Sequence, residues 1–360
     1  MARHSTGRTV RALADLMWQR DRLQMRAIDA VASRLTRRRP GAGAPSPGAP
    51  HSSPARQRRW AGFRSVLCPI DFSDPSRLAL RYAQAIAQRS HGALTALYVN
   101  DPLLIAAAAA ALHDRRIAER SAVELRQFVD STLGSGSGRT RVISRVASGD
   151  PTREILRAAV RGRSDLIVLG AHGLTGADRL LIGSTTLGVL RRTTVPVLAV
   201  PRPAAGARAR VPAAWPGRRI IAAIELDGTP EAEVETAFRL AEWFDRSLLL
   251  VHVVAEVAAP SWLRLHVSAE ARRRVARARR QLEALAGGAG RGIRISARVV
   301  RGRVADEIAA IAASERAGLV VTALRDRTRW FSPARGTVSY HILAKAAAPV
   351  LAYPPSWHPR

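Results

Sequence analysis

Residues 165–173 read DLIVLGAHG, and Gly183-Ser184 follow after nine further residues, which together form the pattern G-x-x-G-x9-G-S. The run from Asp165 to Leu169 is short and apolar, as is typical of a strand buried on both faces of a parallel sheet. The glycines therefore follow a strand, and a helix is predicted behind them at Ser184–Arg192. Glycine lets a backbone approach a ligand closely, and a helix amino terminus attracts anions. The segment predicts a phosphate-binding loop, with a glycine-rich loop that holds no ligand as the alternative.

Short apolar runs and longer amphipathic runs alternate on both sides of this segment. Strands are predicted at Val66–Ile70, Leu94–Val99, Arg141–Ala147, Leu166–Leu169 and Val195–Val200. Helices are predicted at about Pro75–Arg89, Ala111–Leu133, Pro151–Arg161 and Ser184–Arg192. This alternation predicts an α/β fold, an open parallel sheet with helices on both faces. Ligands of such sheets bind at the carboxyl ends of the strands.

The pattern then repeats along the chain. Residues 220–225 match residues 66–71 at an offset of 154, and residues 319–322 match 166–169 at an offset of 153. A shift of one residue over a whole domain indicates a duplication. We therefore predict two tandem domains, 62–202 and 218–355, each with its own open sheet. The segment 203–217 between them is rich in Pro, Ala, Gly and Arg and is predicted to be a linker.

Composition sets the class of protein. The 360 residues are 47% hydrophobic, enough for two cores. No apolar run reaches the roughly 18 residues of a membrane span, and the first residues lack the apolar core of a signal peptide. Cys68 is the one cysteine and lies in a predicted strand, where a buried, inert thiol is expected. These features predict a cytoplasmic protein.

The net charge is +29, and Lys345 is the only lysine. Such a charge attracts nucleic acid and anionic lipid without sequence specificity. Residues 1–61 form an arginine-rich tail that ends in a Pro/Gly/Ala linker at 40–54. The tail could form a basic amphipathic helix that docks on an anionic surface or partner; a solvated, partly helical tail is the alternative.

The first repeat resembles a universal stress protein domain. The resemblance rests on the opening strand VLCPIDFS at 66–73, the Gly149-Asp150-Pro151 turn, the glycine pattern of 170–184 and the closing Val195-Pro196-Val197 strand. It covers residues 62–202 and, more weakly, 218–355. The resemblance implies a Rossmann-like sheet of five parallel strands in the order 3-2-1-4-5. For members with the intact glycine pattern it implies ATP binding, with Mg²⁺ as a candidate companion ion.

The resemblance also implies which residues form the nucleotide site. Asp71 would bond adenine or ribose, Val99 would pack on the adenine face, and Leu169 would close the pocket. Pro69 and Ile70 would shape the floor beside Asp71. Ribose and phosphates would be held by Gly170, Gly173, Gly183, Ser184 and Thr185. A carboxylate, apolar walls and a helix amino terminus suit a nucleotide on physical grounds as well, although Asp71 could instead be a helix N-cap or turn residue.

The second repeat departs from the pattern where a nucleotide would bind. Glu225 replaces Asp71, Ala323 replaces Gly170, and Asp326 replaces Gly173, while Gly336-Thr337 keeps the last element. An acidic side chain near phosphates repels them. We expect a degenerate copy that packs against the first, as an intramolecular counterpart of the pairing through the last strand that is common in the family. Whether two chains also form a homodimer is left open.

No sequence pattern indicates an enzyme. There is no Gly-Lys-Ser/Thr of the Walker type and no His/Cys ligand set. His172 is interpreted as a loop residue, and Arg179 as an exposed arginine. The resemblance to universal stress proteins leaves slow ATP turnover, or self-modification on Ser184 or Thr185, as an open alternative. The expected function is an ATP-binding regulatory protein that acts on an unknown protein partner in stress response; the alternative is an interaction protein that uses its basic tail and no nucleotide.

Overall fold

The computed structural model describes residues 60–359, except 103–104, 107–116, 135–139, 172–181, 203–209, 214, 257–263, 290–291 and 325–337. Several predictions therefore lie outside the described residues. They concern the basic tail, His172, Gly173, Arg179, Asp326 and the pair Gly336-Thr337.

The first half of the described chain alternates strands and helices as predicted. Its strands are β1 (Ser65–Ile70), β2 (Ala93–Asn100), β3 (Arg141–Ser148), β4 (Leu166–Gly170) and β5 (Val197–Val200). Its helices are α1 (Asp74–Arg89), α2 (Ile117–Leu133), α3 (Pro151–Arg161) and α4 (Ser184–Arg192). Strand β5 begins two residues later than the sequence indicated, because Pro196 has no N–H for the ladder and contributes only its carbonyl, to Ile167 N at 3.0 Å.

The second half repeats this order. Its strands are β6 (Arg219–Ala223), β7 (Ser247–Ala255), β8 (Ile295–Gly302), β9 (Leu319–Ala323) and β10 (Val350–Tyr353). Its helices are α5 (Pro230–Phe244), α6 (Arg264–Gly288), α7 (Val304–Ser314) and α8 (Val338–Lys345). None of the helices in the described residues is both long and apolar enough to cross a bilayer.

All ten strands belong to one sheet, in the order β3-β2-β1-β4-β5-β10-β9-β6-β7-β8. Each half has the expected order 3-2-1-4-5 with parallel neighbours. The two sheets predicted from the sequence are joined edge to edge, because β5 and β10 pair antiparallel, with Leu198 opposite Leu351. The α/β fold class is confirmed, and the pairing of the last strands covers two edges that would otherwise be exposed.

Helices cover both faces of the sheet. On one face α1, α2, α5 and α6 pack on a core that runs through both halves. On the other face α3, α4, α7 and α8 enclose a second core. The strands bury side chains on both sides, and this explains their continuously apolar sequences.

The duplication is visible at the turn before α3 and before α7. Gly149 has φ +144° and Gly302 has φ +151°, a backbone conformation that favours glycine. A Cβ on Gly149 would lie 3.1 Å from Glu154, and one on Gly302 would lie 2.5 Å from Glu307. Both halves therefore use the same glycine, at an offset of 153, for the same close approach of a glutamate.

An aromatic cluster lies where the two halves meet on the face of α1 and α5. The rings of Trp60 and Trp243 are 5.3 Å apart, and Phe63 stacks on Trp357 at 5.9 Å. At the end of α1, the Arg89 guanidinium donates to the Trp243 carbonyl with Nε at 3.0 Å and Nη2 at 2.6 Å. This contact links the carboxyl end of α1 to the second half.

Candidate functional site

The candidate site lies at the carboxyl edge of the first half of the sheet. Strand β1 pairs with both β2 and β4, so Asp71, which follows β1, lies between the ends of its two neighbours. Gly170 is the last residue of β4. The topology thus brings Asp71, the end of β2 at Val99 and Gly170 to one edge, where ligands of open α/β sheets bind.

Gly170 lies between the amino ends of two helices. A Cβ added to it would lie 3.0 Å from the carbonyl carbon of Pro75, at the start of α1. The Thr186 hydroxyl, in the first turn of α4, donates to the Gly170 carbonyl oxygen at 3.0 Å. Glycine is therefore needed here because the start of α1 packs directly on the end of β4. Two helix amino termini, each with a partial positive charge, meet at this residue.

The first turn of α4 has no side-chain cap. Its N-cap is Gly183, which makes no side-chain cap hydrogen bond, and the turn Ser184-Thr185-Thr186 has no acidic residue. Gly183 N itself donates to the Ala171 carbonyl oxygen at 3.0 Å, which fixes the start of the helix beside β4. The backbone N–H groups of Ser184 and Thr185 need an acceptor from outside the helix. An anion satisfies this requirement, and Ser184 is exposed to solvent.

Helix α1 differs from α4 because its amino terminus is capped. The Ser73 hydroxyl oxygen accepts from Ser76 N at 3.2 Å, and Asp74 lies in the first turn. The N-cap is thus Ser73. The alternative interpretation of Asp71 as the N-cap is wrong. Of the two helix starts at Gly170, that of α4 is the one without a side-chain cap among the described residues.

Asp71 is a turn residue in this structure. Its Oδ1 accepts from Ser73 N at 3.1 Å and from the Ser73 hydroxyl at 2.5 Å, and the intervening Phe72 has φ +62°. Within the described part of the chain, both hydrogen bonds of the carboxylate use Oδ1. The turn role holds the side chain in place, and Oδ2 is available to accept from a ribose hydroxyl or an adenine amino group.

The apolar residues of the predicted site divide between the two faces of the sheet. Val99 and Leu169 both belong to the core on the face of α3 and α4. Ile70 belongs to the core on the opposite face, and Pro69 is buried. On the α4 side Val99 is partly exposed, whereas Leu169 is buried.

Burial and the Asp71 carboxylate also act on neighbouring groups. Burial raises the pKa of the Cys68 thiol well above its usual range, and the negative charge of Asp71 adds to the rise. The pKa of Tyr98 is also raised, mainly by burial and to a smaller extent by the negative charge of Asp71. Cys68 is thus a protonated, buried thiol, as the sequence predicted, and it is not suited to nucleophilic chemistry.

The matching edge of the second half is acidic. Three carboxylates, those of Glu225, Asp227 and Glu233, line a cavity of about 200 Å³ that Tyr353 and His358 help to enclose. The Glu233 carboxylate accepts from Glu225 N at 3.0 Å, and burial raises the pKa of Glu233 to about 8. The Glu233 side chain, in the first turn of α5, thus binds a backbone N–H at this edge with an acidic group of the protein itself.

Sequence reasoning missed two features of these sites. The Ser339 hydroxyl donates to the Ala323 carbonyl oxygen at 3.1 Å, the counterpart of the Thr186 to Gly170 bond at an offset of 153. The sequence signal for this bond was a hydroxyl side chain at equivalent positions of the two repeats, Thr186 and Ser339. Glu233 gave no such signal, because an acidic residue in the first turn of a helix is usually exposed.

The chain matches a known family in two places. The sequence model of the universal stress protein family matches residues 62–201 and 217–354. A universal stress protein of Methanocaldococcus jannaschii is 30% identical over 145 residues, which cover 39% of this chain and 84% of that protein. One of Thermus aquaticus is 30% identical over 139 residues, which cover 38% of this chain and 98% of that protein.

Solved structures share the fold. A universal stress protein of Archaeoglobus fulgidus has a TM-score of 0.56 and 19% identity, and the match covers 81% of this chain and 98% of that one. A universal stress protein in complex with cAMP is 27% identical with a TM-score of 0.29, and the match covers 39% of this chain and 97% of that one. The first of these spans both halves of the fold described above.

Proposed function

The chain belongs to the universal stress protein family, and we propose that it binds one adenine nucleotide, ATP in the first instance, in its first half. The bound nucleotide regulates contacts with a protein partner in stress response. The observation that carries the proposal is the uncapped first turn of α4 beside Gly170. A nucleotide phosphate supplies the acceptor that these backbone N–H groups need.

The remaining parts of a nucleotide have matching groups at the same edge. Asp71 Oδ2 accepts from a ribose hydroxyl or from the adenine amino group, while Oδ1 stays in the turn with Ser73. Val99, which is partly exposed, offers apolar surface to the base, and the buried Leu169 belongs to the core on the same face of the sheet. Apolar walls with a few placed polar groups are typical of small-molecule sites.

The second half opposes nucleotide binding through charge. Its cavity is lined by three acidic residues, Glu225, Asp227 and Glu233, and burial raises the pKa of Glu233 to about 8. The carboxylates of Glu225 and Asp227 repel phosphates, and the protonated Glu233 side chain already bonds Glu225 N, which is therefore not free to bind a ligand. The expected stoichiometry is therefore one nucleotide per chain.

Helix α1 gives the bound nucleotide a route to the rest of the molecule. The turn that holds Asp71 leads directly into α1, and Arg89 at the other end of this helix bonds the Trp243 carbonyl in the second half. A ligand that orders the turn acts on an element that contacts both halves. Surfaces near this junction are where a partner would sense the nucleotide.

Thermal unfolding with and without ATP tests the proposal. At a ligand concentration of 100 times Kd, binding stabilises the native state by about 2.7 kcal/mol, or a Tm rise of several degrees for a chain of this size. Gly183→Val places a branched side chain at the N-cap of α4 and should abolish the rise. Gly336→Val, the same change in the second repeat, is the matched control and should keep it. cAMP, which a solved relative contains, is titrated in parallel.

Two results would count against the proposal. The wild type could show no rise with any adenine nucleotide at millimolar concentration. Alternatively, Gly183→Val could retain the full rise while its Tm without ligand equals that of the wild type.

A further inference from the structure

Helix α6 carries an exposed arginine cluster that the nucleotide site does not use. Between Glu270 and Gly288 the helix has six arginines and two glutamates. All six arginines, at 272, 273, 274, 277, 279 and 280, are exposed. The helix packs on β7 and β8 at the far end of the ten-stranded sheet, so these side chains lie at the outer edge of the molecule.

The helix period places three of these arginines in one line. Ala278 and Leu282 are buried against the sheet. Successive residues turn by about 100°, so Arg273 and Arg280 project from the side opposite to that buried face, and Arg277 lies about 40 to 60° to one side of them. We call these three residues the arginine stripe. At about 1.5 Å per residue, the stripe spans about 10 Å along the helix.

The arginine stripe is not neutralised within the described chain. Arg279 pairs with Glu283 at 2.8 Å. No ion pair is found for Arg273, Arg277 or Arg280 with any described residue. Three guanidinium groups of the same sign, close together and without an ion-pair partner among the described residues, favour an external polyanion.

The high arginine content of the chain does not by itself explain the cluster. Helix α2 occupies the same position in the first half, on β2 and β3. Its 17 residues carry Arg120 and Arg126 against Glu119, Glu124 and Asp130. The two copies of the fold thus differ in the net charge of this helix. Helix α2 carries mixed charges and is slightly acidic, whereas α6 is strongly basic.

We propose that the arginine stripe of α6 binds the phosphodiester backbone of double-stranded nucleic acid, without base readout. A rigid line of guanidinium groups suits a rigid line of phosphates, since each arginine can form a forked contact with phosphate oxygens. Contacts to phosphate oxygens fix the position of the protein on the duplex and carry no sequence information. The affinity is therefore electrostatic and salt-dependent.

A membrane surface fits the same charge less well. Helices that lie on membranes insert large apolar side chains between the lipids. Leu282 is fully buried against the sheet, and Val275 and Leu285 are half-buried. The outward face has only small residues, Ala276 and Ala284, between its charged groups. Between residues 270 and 288, the helix therefore has no large apolar side chain on its outward face to anchor it in a bilayer.

Duplex binding by the full chain tests the inference. Fluorescence anisotropy with a labelled duplex of 30 base pairs is measured from 50 to 200 mM salt for the wild type and for the triple variant Arg273→Gln, Arg277→Gln and Arg280→Gln. The control is a second triple variant, Arg126→Gln, Arg153→Gln and Arg161→Gln, which removes the same charge from exposed and separated positions. The basic tail is identical in all three proteins, so its contribution cancels.

The stripe variant should bind the duplex at least tenfold more weakly than the wild type at 100 mM salt. Its log–log salt slope should be smaller by about 2 to 3, because each phosphate contact contributes about 0.9. The control variant should lose less than threefold. Equal losses in the two variants, or no loss in either, would overturn the inference. Loss of binding to phosphatidylserine vesicles with unchanged duplex binding would overturn it in favour of a membrane.

Discussion

The buried Glu233 carboxyl predicts a specific pH dependence of stability. Burial raises the pKa of Glu233 from 4.5 to about 8. At about 1.36 kcal/mol for each pKa unit, this difference corresponds to about 5 kcal/mol between the protonated and the ionised native state. Partial solvent access reduces the figure, so we expect about 2 to 5 kcal/mol.

The direction follows from proton linkage. The native state holds the proton more tightly than the unfolded chain, whose carboxyl titrates near 4.5. The stabilisation by the protonated carboxyl is therefore complete below that pH, and it is lost as the pH rises through about 8. Glu233→Gln cannot ionise, and its side-chain oxygen still accepts from Glu225 N. The variant should match the wild type within about 1 kcal/mol at pH 4.5 and exceed it by about 2 to 5 kcal/mol at pH 9.

Urea unfolding followed by tryptophan fluorescence measures this difference at pH 4.5, 6, 7, 8 and 9. Taking the difference between variant and wild type removes the titration of every group that the two proteins share. Glu231→Gln, an exposed position in the same helical turn, is the control and should give a flat difference. A flat difference for Glu233→Gln, or one that falls with pH, would refute a buried and protonated carboxyl at this position.

Two further substitutions test the site and the repeat. Asp71→Asn keeps an oxygen for the bond from Ser73 N but removes the carboxylate. The affinity for ATP in calorimetric titration should therefore fall about 10- to 100-fold, with little change in Tm. An unchanged affinity would show that Asp71 is a turn residue only. Gly149→Ala should destabilise the chain by about 1 to 3 kcal/mol in urea unfolding, since φ is +144° and Glu154 is close. Gly287→Ala, in open space within α6, should instead stabilise it by about 0.4 to 1 kcal/mol, and a loss there would contradict this account.

Much of the fold could be predicted from local patterns. Helix α3 has the predicted bounds, Pro151–Arg161, because Asp150 caps it and its apolar residues follow the helical period. The turn at Gly149-Asp150-Pro151 was one of the features on which the family resemblance rests, and the structure has the same glycine conformation at Gly302. Strong local signals of this kind agree with the tertiary fold, and they identify an element without knowledge of its neighbours.

The rest depends on contacts between distant segments. The glycine at 170 was read as a residue for ligand approach, but the structure shows that the start of α1 at Pro75 also requires it. Glu233 lies in a cavity that Tyr353 and His358, from the end of the fold, help to line. Neither contact leaves a mark in the local sequence, since each joins residues that are about 100 positions apart.

The number of nucleotides bound per chain tests the central claim most directly. Calorimetric titration of ATP into the nucleotide-free chain should give a stoichiometry of one in the wild type and in Gly336→Val, and no binding in a folded Gly183→Val variant. A stoichiometry of two, or a single site that is lost in Gly336→Val and kept in Gly183→Val, would contradict the assignment of nucleotide binding to the uncapped first turn of α4.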